Sequence, residues 1–383
     1  MNDAAPSLQN TPLTTWHEAN AGKMVPFAGF IMPVQYRRGV LAEHAAVRER
    51  VGCFDISHMG EIAVVGEAAE PWLDGLFTNK LAGLAPGRIV YGAMCREGGG
   101  VLDDLLVYRL TPERWFVVCN AVNREKIVQW LETHLPPSGV SLSDLSEQTA
   151  LIAVQGPAAP EVMARLEALA PHRQDVAELK YYTGMPVQVG QAEWVVSRTG
   201  YTGERGYEIY VPNDAALPLW EEILAQGADF GIEPVGLAAR DTLRFEVGYC
   251  LYGHELGEDI SPLEAGIGWA VKFKKGDYVG KETLAAQKAA GLPRRLIGLE
   301  VEGRTIARQA TPVLVDEQRV GAVTSGSYSP TLKRSLALAL VATPPAADGF
   351  QVEIRGRRVP CRRVPSPFLP ARVKGDPRAE RGA

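Results

Sequence analysis

Several kinds of chemistry have no foothold in this 383-residue sequence. No apolar run reaches the roughly 18 residues that a membrane span needs. The N-terminal MNDAAPSLQNTPL lacks both the apolar core of a signal peptide and an Arg-rich amphipathic stretch. Cysteine is scarce: Cys53, Cys95, Cys119, Cys250 and Cys361 are odd in number, far apart and without a CxxC pair. That pattern argues against a disulfide framework and fits small buried hydrophobes in a reducing compartment, so the expected location is cytoplasmic. The six histidines (His17, His44, His58, His134, His172, His254) include no pair at helical metal-ligand spacing, and no metal is expected. No GxGxxG follows a strand and no GxSxG elbow appears. The segment Gly276–Glu282 (GDYVGKE) falls one residue short of a phosphate loop and has no Ser or Thr after its lysine. Chemistry in this chain has to run on carboxylates, arginines and hydroxyls.

Composition is that of a globular protein, with 46% hydrophobic and 22% charged residues, and the length suits two or three domains. A formal net charge of −5 gives no global reason to bind nucleic acid or an anionic membrane. The exception is local. From Arg355 onward nine basic residues face only Asp376 and Glu380, which suits either a solvated face or an acidic partner.

Periodicity places the main elements. Leu105–Leu110 and Trp115–Cys119 read as a hairpin. Asn123 is placed to cap a helix with Ile127, Trp130 and Leu131 on its apolar face. A second helix follows Asn213-Asp214, with Leu217, Trp220, Ile223 and Leu224 as its stripe. Lys281–Ala290 reads as a helix stopped by Gly291 with Pro293 beyond. After it come strands at Leu296–Val301, Val313–Val315, Leu336–Val341 and Gln351–Ile354, a pattern of a small β-barrel or sandwich. The expected organisation is one region over 10–280, a β-domain over 292–370 and a frayed tail at 373–383.

The richest stretch is Gly98–Tyr108 (GGGVLDDLLVY). Successive strand residues point to opposite faces, so only one of Asp103 and Asp104 can face a given side. Where both faces are covered, at least one carboxylate enters an apolar wall, which is costly without a partner or a task. Taken alone the pair also fits an ordinary Gly-Asp turn.

Other segments join it in order along the chain: FAGFIMPVQY, FDISHMGE, VQGP, SRTGYTGERGYE, GLAARDTLRFE, CLYGHEL and TSGSYSPTL. Together, from about Thr11 to Phe368, the chain resembles the aminomethyltransferase family, the T-protein of the glycine cleavage system. The resemblance implies an α+β fold: a three-subdomain cloverleaf around a central cavity, with a ferredoxin-like α/β part and a C-terminal β-barrel. It implies tetrahydrofolate as co-substrate and the lipoylated H-protein as partner. The implied reaction moves a one-carbon unit from an aminomethylated lipoyl arm to tetrahydrofolate, giving 5,10-methylenetetrahydrofolate, ammonia and the dihydrolipoyl arm.

The same resemblance implies residue roles. Glu208, in the GYTGxxGxE pattern, is the carboxylate for the pterin, whose 2-amino group and ring N–H form an adjacent donor pair. Arg240 is the arginine that contacts folate, and Asp104 is the functional aspartate near folate N10. Asp103 is a weaker, structural candidate. Met59, Tyr91, Asn120, Tyr201 and Trp269 line the pocket, the two aromatics Tyr201 and Trp269 offering flat faces or edges to the folate rings. Core packing competes for Met59 and Trp269, a strand-end position for Tyr91 and Asn120, and a structural ion pair for Glu208 and Arg240. His58 is expected to be a satisfied structural histidine, and Cys119 and Cys250 to be buried and inert.

The chain departs from the family at Pro26, Phe30, Arg205 and His254, and a role for Arg372 at the folate tail is open. Two alternatives share the scaffold. A folate-binding helper would carry Lys-Gly-Cys where this chain reads Gly248-Tyr249-Cys250. A folate-dependent demethylase differs only in its one-carbon donor.

Overall fold

The computed structural model describes residues 8–343 and 348–374. It is an α+β protein with two central sheets, a small three-stranded sheet and a closed barrel of six strands. The expected tail at 373–383 falls from residue 375 onward outside the described residues.

The five-stranded sheet contains the hairpin of Val101–Arg109 and Arg114–Cys119, flanked by Ile89–Cys95 and Gly60–Val65. Its outer face buries Ile62, Val64, Leu105 and Val107 against Ile127 and Leu131 of the helix Arg124–Thr133. Its inner face meets a six-stranded sheet. Ile89, Tyr108, Phe116 and Val118 pack there against Phe54, Leu151, Ala153 and Tyr210. The Tyr108 and Tyr210 hydroxyls meet at 2.7 Å, so the two sheets share a hydrogen bond inside an apolar layer. The far face of the six-stranded sheet carries its own core under the helix Asn213–Gly227.

That helix presents Ala216, Leu219, Trp220 and Ile223 inward and leaves Leu217 40% exposed. The expected stripe holds at Trp220 and Ile223, with Leu224 packed partly buried on the same core; Leu217 alone departs from it, and Ala216 and Leu219 take inward places beside them. Asn123 also departs from expectation. It precedes the helix, but its side chain makes no cap bond and donates to Asp103 Oδ1 at 2.6 Å.

The barrel runs from Arg294–Val301 to Arg357–Val364. Gly321–Leu332, which holds the motif TSGSYSPTL, lies mostly within a twelve-residue strand, Gln318–Ser329. Its small residues have a steric cause: a Cβ on Gly326 would sit 1.7 Å from the Ala307 carbonyl oxygen. The last strand was hidden by its arginines. Arg358 and Arg362 pair with Glu317 and Glu300 on the barrel itself, which neutralises part of the basic end.

One buried network ties these parts together. Arg48, on the helix Val40–Glu49, donates to Glu246 Oε2 from Nε (3.1 Å) and Nη2 (3.0 Å). Its remaining donors reach Glu204 Oε1 (2.9 Å) and the carbonyls of Thr202 and Leu243. Glu246 also accepts from Ser329 Oγ, Thr331 N and Thr331 Oγ1 at the end of the barrel strand. Burial alone would raise this carboxyl; the His44, Ser329 and Arg48 donors instead bring its pKa down to about 2.

Removing one member of such a buried pair leaves the other charge unpaired, at a cost of about 3–5 kcal/mol. Glu246→Gln should lower the unfolding free energy by that order at neutral pH in urea titrations. A depressed carboxylate contributes above its unfolded pKa, so the deficit should shrink as pH falls from about 4.3 toward 2. An undiminished deficit at the acid end would show that packing, rather than charge, dominates.

Candidate functional site

The hairpin alternation separates the two aspartates. Leu105 and Val107 belong to the outer core and Leu106 and Tyr108 to the layer between the sheets. Asp103 follows the first pair and Asp104 the second. Asp103 is fully buried and accepts from Asn120 N (2.9 Å), Asn120 Nδ2 (2.8 Å) and Asn123 Nδ2 (2.6 Å). Asp104, partly buried, accepts from Tyr91 Oη at 3.0 Å and Asn120 Nδ2 at 3.1 Å. Asn120 thus joins the two carboxyl groups. Burial holds both above the usual carboxylate range, and the charge of Asp104 adds to the effect on Asp103.

Tyr91 carries the cluster outward. Its ring stacks on Trp269 with centroids 5.6 Å apart and planes 26° apart. Trp269 lies in a short 3-10 turn, Gly268–Ala270, and is 59% exposed. It is not the core-strand residue that its apolar neighbours suggested. An exposed tryptophan beside buried carboxyl groups is a free aromatic face.

Glu208 approaches from the other sheet. Tyr207 and Ile209 fill the outer core and Tyr210 the layer between the sheets, so Glu208 points into that layer. Thr199 Oγ1 donates to its Oε2 at 2.5 Å. Burial raises its pKa, opposed by Thr199 and by the positive charge of Arg240. The loop that positions it depends on Gln155 of VQGP. The Gln155 amide donates to the carbonyls of Thr199 and Tyr207 and accepts from Thr202 Oγ1. A Cβ on Gly200 or Gly206 would lie 2.0 or 2.2 Å from that amide, so both glycines are required by a side chain about 50 residues earlier in sequence.

Arg240 opens the helix segment Leu237–Glu246. Its guanidinium lies over the Tyr201 ring, 4.8 Å from the centroid, and among the described residues it forms no ion pair. Tyr201 is held by its hydroxyl bond to the Cys250 carbonyl and by stacking on Tyr249. Arg244, one turn on, is spent on Glu255, Asp241 and Ser325. Of the two arginines in ARDTLR, only Arg240 keeps its donors for a ligand. Tyr201 feels the charges of Asp104 and Arg240, and Glu208 that of Arg240, so these groups are electrostatic neighbours. Met59 borders the layer between the sheets.

His58 differs from expectation. It is buried, with the edges of Phe27 and Phe30 against its ring, and its Nδ1 has no hydrogen-bond partner. Burial, helped by Arg240, brings its pKa down to about 4 and keeps it neutral. Cys119 and Cys250 are buried, and burial pushes both thiols well up.

Sequence reasoning missed Thr199, Asn123, Asp55 and Glu61. Asp55 of FDISHMGE accepts from Thr11 Oγ1 (2.6 Å) and Ser57 N (2.9 Å) and meets His17 Nε2 (2.9 Å). These bonds hold it below the usual range despite burial. Glu61 is the opposite case: fully buried on the inner face, with both carboxyl oxygens unpartnered. The run DISHMGE flagged the segment, but only tertiary contacts distinguish these two carboxyl groups.

Comparison with known proteins decides the family. Residues 13–275 match the GCVT N-terminal domain and 294–369 the glycine cleavage T-protein C-terminal barrel domain. The chain belongs to the glycine cleavage T-protein family. It is 45% identical over 363 residues to an aminomethyltransferase of Caldanaerobacter subterraneus subsp. tengcongensis, covering 94% of this chain and 96% of the relative. The aminomethyltransferase of Geobacillus thermodenitrificans is 46% identical, with 94% and 98% coverage. The crystal structure of glycine cleavage system aminomethyltransferase T from Bartonella henselae superposes with a TM-score of 0.87 at 33% identity, covering 96% of this chain and all of that one. This protein is an aminomethyltransferase of the glycine cleavage system.

Glu61 supplies a test of the site's electrostatics. Burial, and then Asp144, raise its pKa well above the ordinary value, so the folded state holds it neutral. Stability from a raised carboxyl is complete below the unfolded pKa of about 4.3 and is lost as pH rises toward the folded value. Glu61→Gln should match the parent melting temperature near pH 4 and exceed it by a margin that widens toward pH 8. A margin independent of pH would mean that Glu61 is ionised in the fold.

Proposed function

We propose that the space between Asp104, Glu208 and Arg240 binds tetrahydrofolate and that Asp104 supports transfer of the one-carbon unit from an aminomethylated lipoyl arm of the H-protein. What carries this reading is the nearness of the buried Glu208 and the partly buried Asp104 to an arginine that, among the described residues, has no carboxylate partner. Glu208 accepts the pterin donor pair, and its Thr199 bond leaves the second oxygen available. Arg240 balances charge beside it and contacts the folate. Tyr91, Tyr201 and Trp269 provide aromatic walls, Met59 an apolar one, and Asn120 fixes Asp104.

In the transfer the carbon–sulfur bond to the lipoyl arm and the carbon–amine bond both break. Two new bonds join that carbon to folate N5 and N10. The two protons lost from these nitrogens end on the lipoyl sulfur and on the departing ammonia, which balances the reaction. The one-carbon unit is iminium-like while it is between donors. An ionised Asp104 stabilises that positive charge and orients the folate amines. The partner, on this reading, presents its arm to the same space, and the reaction runs in the cytoplasm. Residues 10–280 and 292–370 act as the two structural units that frame it.

The direct test is ammonia release from aminomethyl-loaded H-protein with and without tetrahydrofolate. Release that depends on folate, with methylenetetrahydrofolate formed in equal amount, supports the reading; folate binding without release overturns it. Asp104→Asn should lower kcat by about 10²–10⁴-fold while folate affinity stays within a few-fold. Because the Asp104 carboxyl is raised, parent kcat should fall on acidification through an apparent pKa above the usual value of about 3.9. Glu208→Ala should weaken folate binding by about 10–100-fold, the loss of a charge-assisted pair. Unchanged affinity in that variant removes Glu208 from the pterin site.

A further inference from the structure

A buried lysine follows the Trp269 turn. Lys275 has a side chain only 1% exposed. Its ammonium donates to three main-chain carbonyls at and just beyond the end of the helix Ala69–Leu76: Asp74 (2.5 Å), Phe77 (2.6 Å) and Asn79 (2.9 Å). The Asp74 carboxylate stands 3.1 Å from the same nitrogen and accepts from Leu81 N at 2.6 Å. An ammonium has three donors and no acceptor, so this cradle satisfies all of them. Burial pulls the Lys275 pKa down, and the Asp74 charge opposes that pull. A cation is tolerable in such a place only because it is paired and fully hydrogen-bonded.

The carbonyls gathered by Lys275 belong to a segment that holds Tyr91. The Asn79 side-chain amide donates to the Tyr91 carbonyl at 2.9 Å. Thr78 N donates to the Ala93 carbonyl (2.9 Å), and Thr78 Oγ1 accepts from Ala93 N (3.0 Å). Between those bonds the packing is tight. A Cβ on Gly92 would lie 2.6 Å from the Phe77 ring and 3.1 Å from Asn79 Cβ.

The same segment holds Trp269 from the other side. Lys272 N donates to the Thr78 carbonyl at 2.9 Å, and Lys272 Nζ donates to the Trp269 carbonyl at 2.8 Å. Tyr91 and Trp269 therefore sit on two stretches of chain that Lys275 ties together, and their rings stack at that junction. From there the Tyr91 hydroxyl reaches Asp104 Oδ2 at 3.0 Å.

We propose that Lys275 is a positioning residue for the one-carbon transfer: its ammonium fixes the Tyr91–Trp269 stack and, through the Tyr91 hydroxyl, the Asp104 carboxyl group. The proposal rests on the reading of Asp104 given above and extends it to a side chain that touches no substrate. Without the ammonium, three converging carbonyls lose their shared donor, and the segment over Tyr91 relaxes outward. A displacement of about 1 Å in a positioned group can cost about 10²-fold in rate.

The test uses the full-length protein and follows methylenetetrahydrofolate formation from aminomethyl-loaded H-protein. Lys275→Ala should lower kcat by about 10–100-fold. Tetrahydrofolate affinity, which also draws on Glu208 and Arg240, should fall by no more than about fivefold. The substitution removes three carbons and an ammonium, the size of n-propylammonium. Added n-propylammonium chloride should raise the variant's kcat about fivefold or more by refilling the cradle. Tetramethylammonium chloride, a cation without an N–H donor, should not, and neither salt should change the parent. In a Tyr91→Phe background, where the link to Asp104 is already cut, Lys275→Ala should cost no more than about threefold.

Parent kcat in Lys275→Ala, equal rescue by both salts, or additive losses with Tyr91→Phe overturns the proposal. Should Lys275→Ala fail to fold, Asn79→Ala replaces it. That variant keeps the ammonium and its carbonyls and removes the side-chain bonds to Tyr91 O and Lys80 N. Its kcat should fall by about 3–10-fold, and a parent value overturns the proposal. Asp104→Asn separates the two readings. If it is impaired while Lys275→Ala is not, the proposal alone fails; if it keeps parent kcat, the reading of Asp104 fails and takes the proposal with it.

Discussion

The Arg48–Glu246 ion pair is the constraint on which the rest of this architecture hangs. Both groups are buried, and each would be untenable alone, since an unpaired charge in the interior costs several kcal/mol. Their bonds also reach the GYTG loop through Thr202 and Glu204 and the barrel through Ser329 and Thr331. Arg372, beyond the barrel, closes the circuit on Glu204 at 2.6 Å. Its side chain is therefore engaged in structure. Because the loop that carries Tyr201 and the helix that carries Arg240 both adjoin this pair, the site geometry inherits its rigidity.

Around that anchor, the interior handles carboxyl groups in two opposite ways. Asp55 and Glu246 are surrounded by donors and stay ionised. Asp104, Glu208 and Glu61 lie in the layer between the sheets with few donors, and burial raises all three. The first group stabilises the fold; the second is held at an energetic disadvantage. In the proposed site, a ligand bearing N–H donors or a transient positive charge would relieve that disadvantage at Asp104 and Glu208. Asp103 shows how closely the two states neighbour each other. It is adjacent to Asp104 in sequence, yet three donors lock it into the opposite face as a support for Asn120 and Asn123.

The aromatic groups follow the same division. Tyr108 and Tyr210 join the two sheets through their hydroxyls and belong to the frame. Tyr91 and Trp269 form a stack whose outer member is open to solvent, and Tyr201 shares its faces between Arg240 and Tyr249. An exposed indole stacked on a tyrosine that bonds Asp104 is unfavourable for a protein without a ligand and useful for one that binds a flat ring.

The sequence by itself determined the features that depend on near neighbours and on motif order. The Val101–Cys119 hairpin, the helix Lys281–Ala290 ending at Gly291, and four of the barrel strands follow from periodicity and turn chemistry. Eight ordered motifs were enough to point to the family. Tertiary structure decided whatever rests on residues far apart in the chain. Asn123 gave its side chain to Asp103, 20 residues away, instead of capping its helix. Gly200 and Gly206 are dictated by Gln155, and the arginine-rich last strand by carboxylates across the barrel. Trp269 turned outward although its neighbours are apolar, His58 was left unpaired, and Lys275 met three carbonyls about 200 residues earlier in the chain. The reason is physical: hydrophobic period and turn preference act over a few residues, whereas burial, ion pairing and desolvation act on whatever the folded chain brings within a few ångströms.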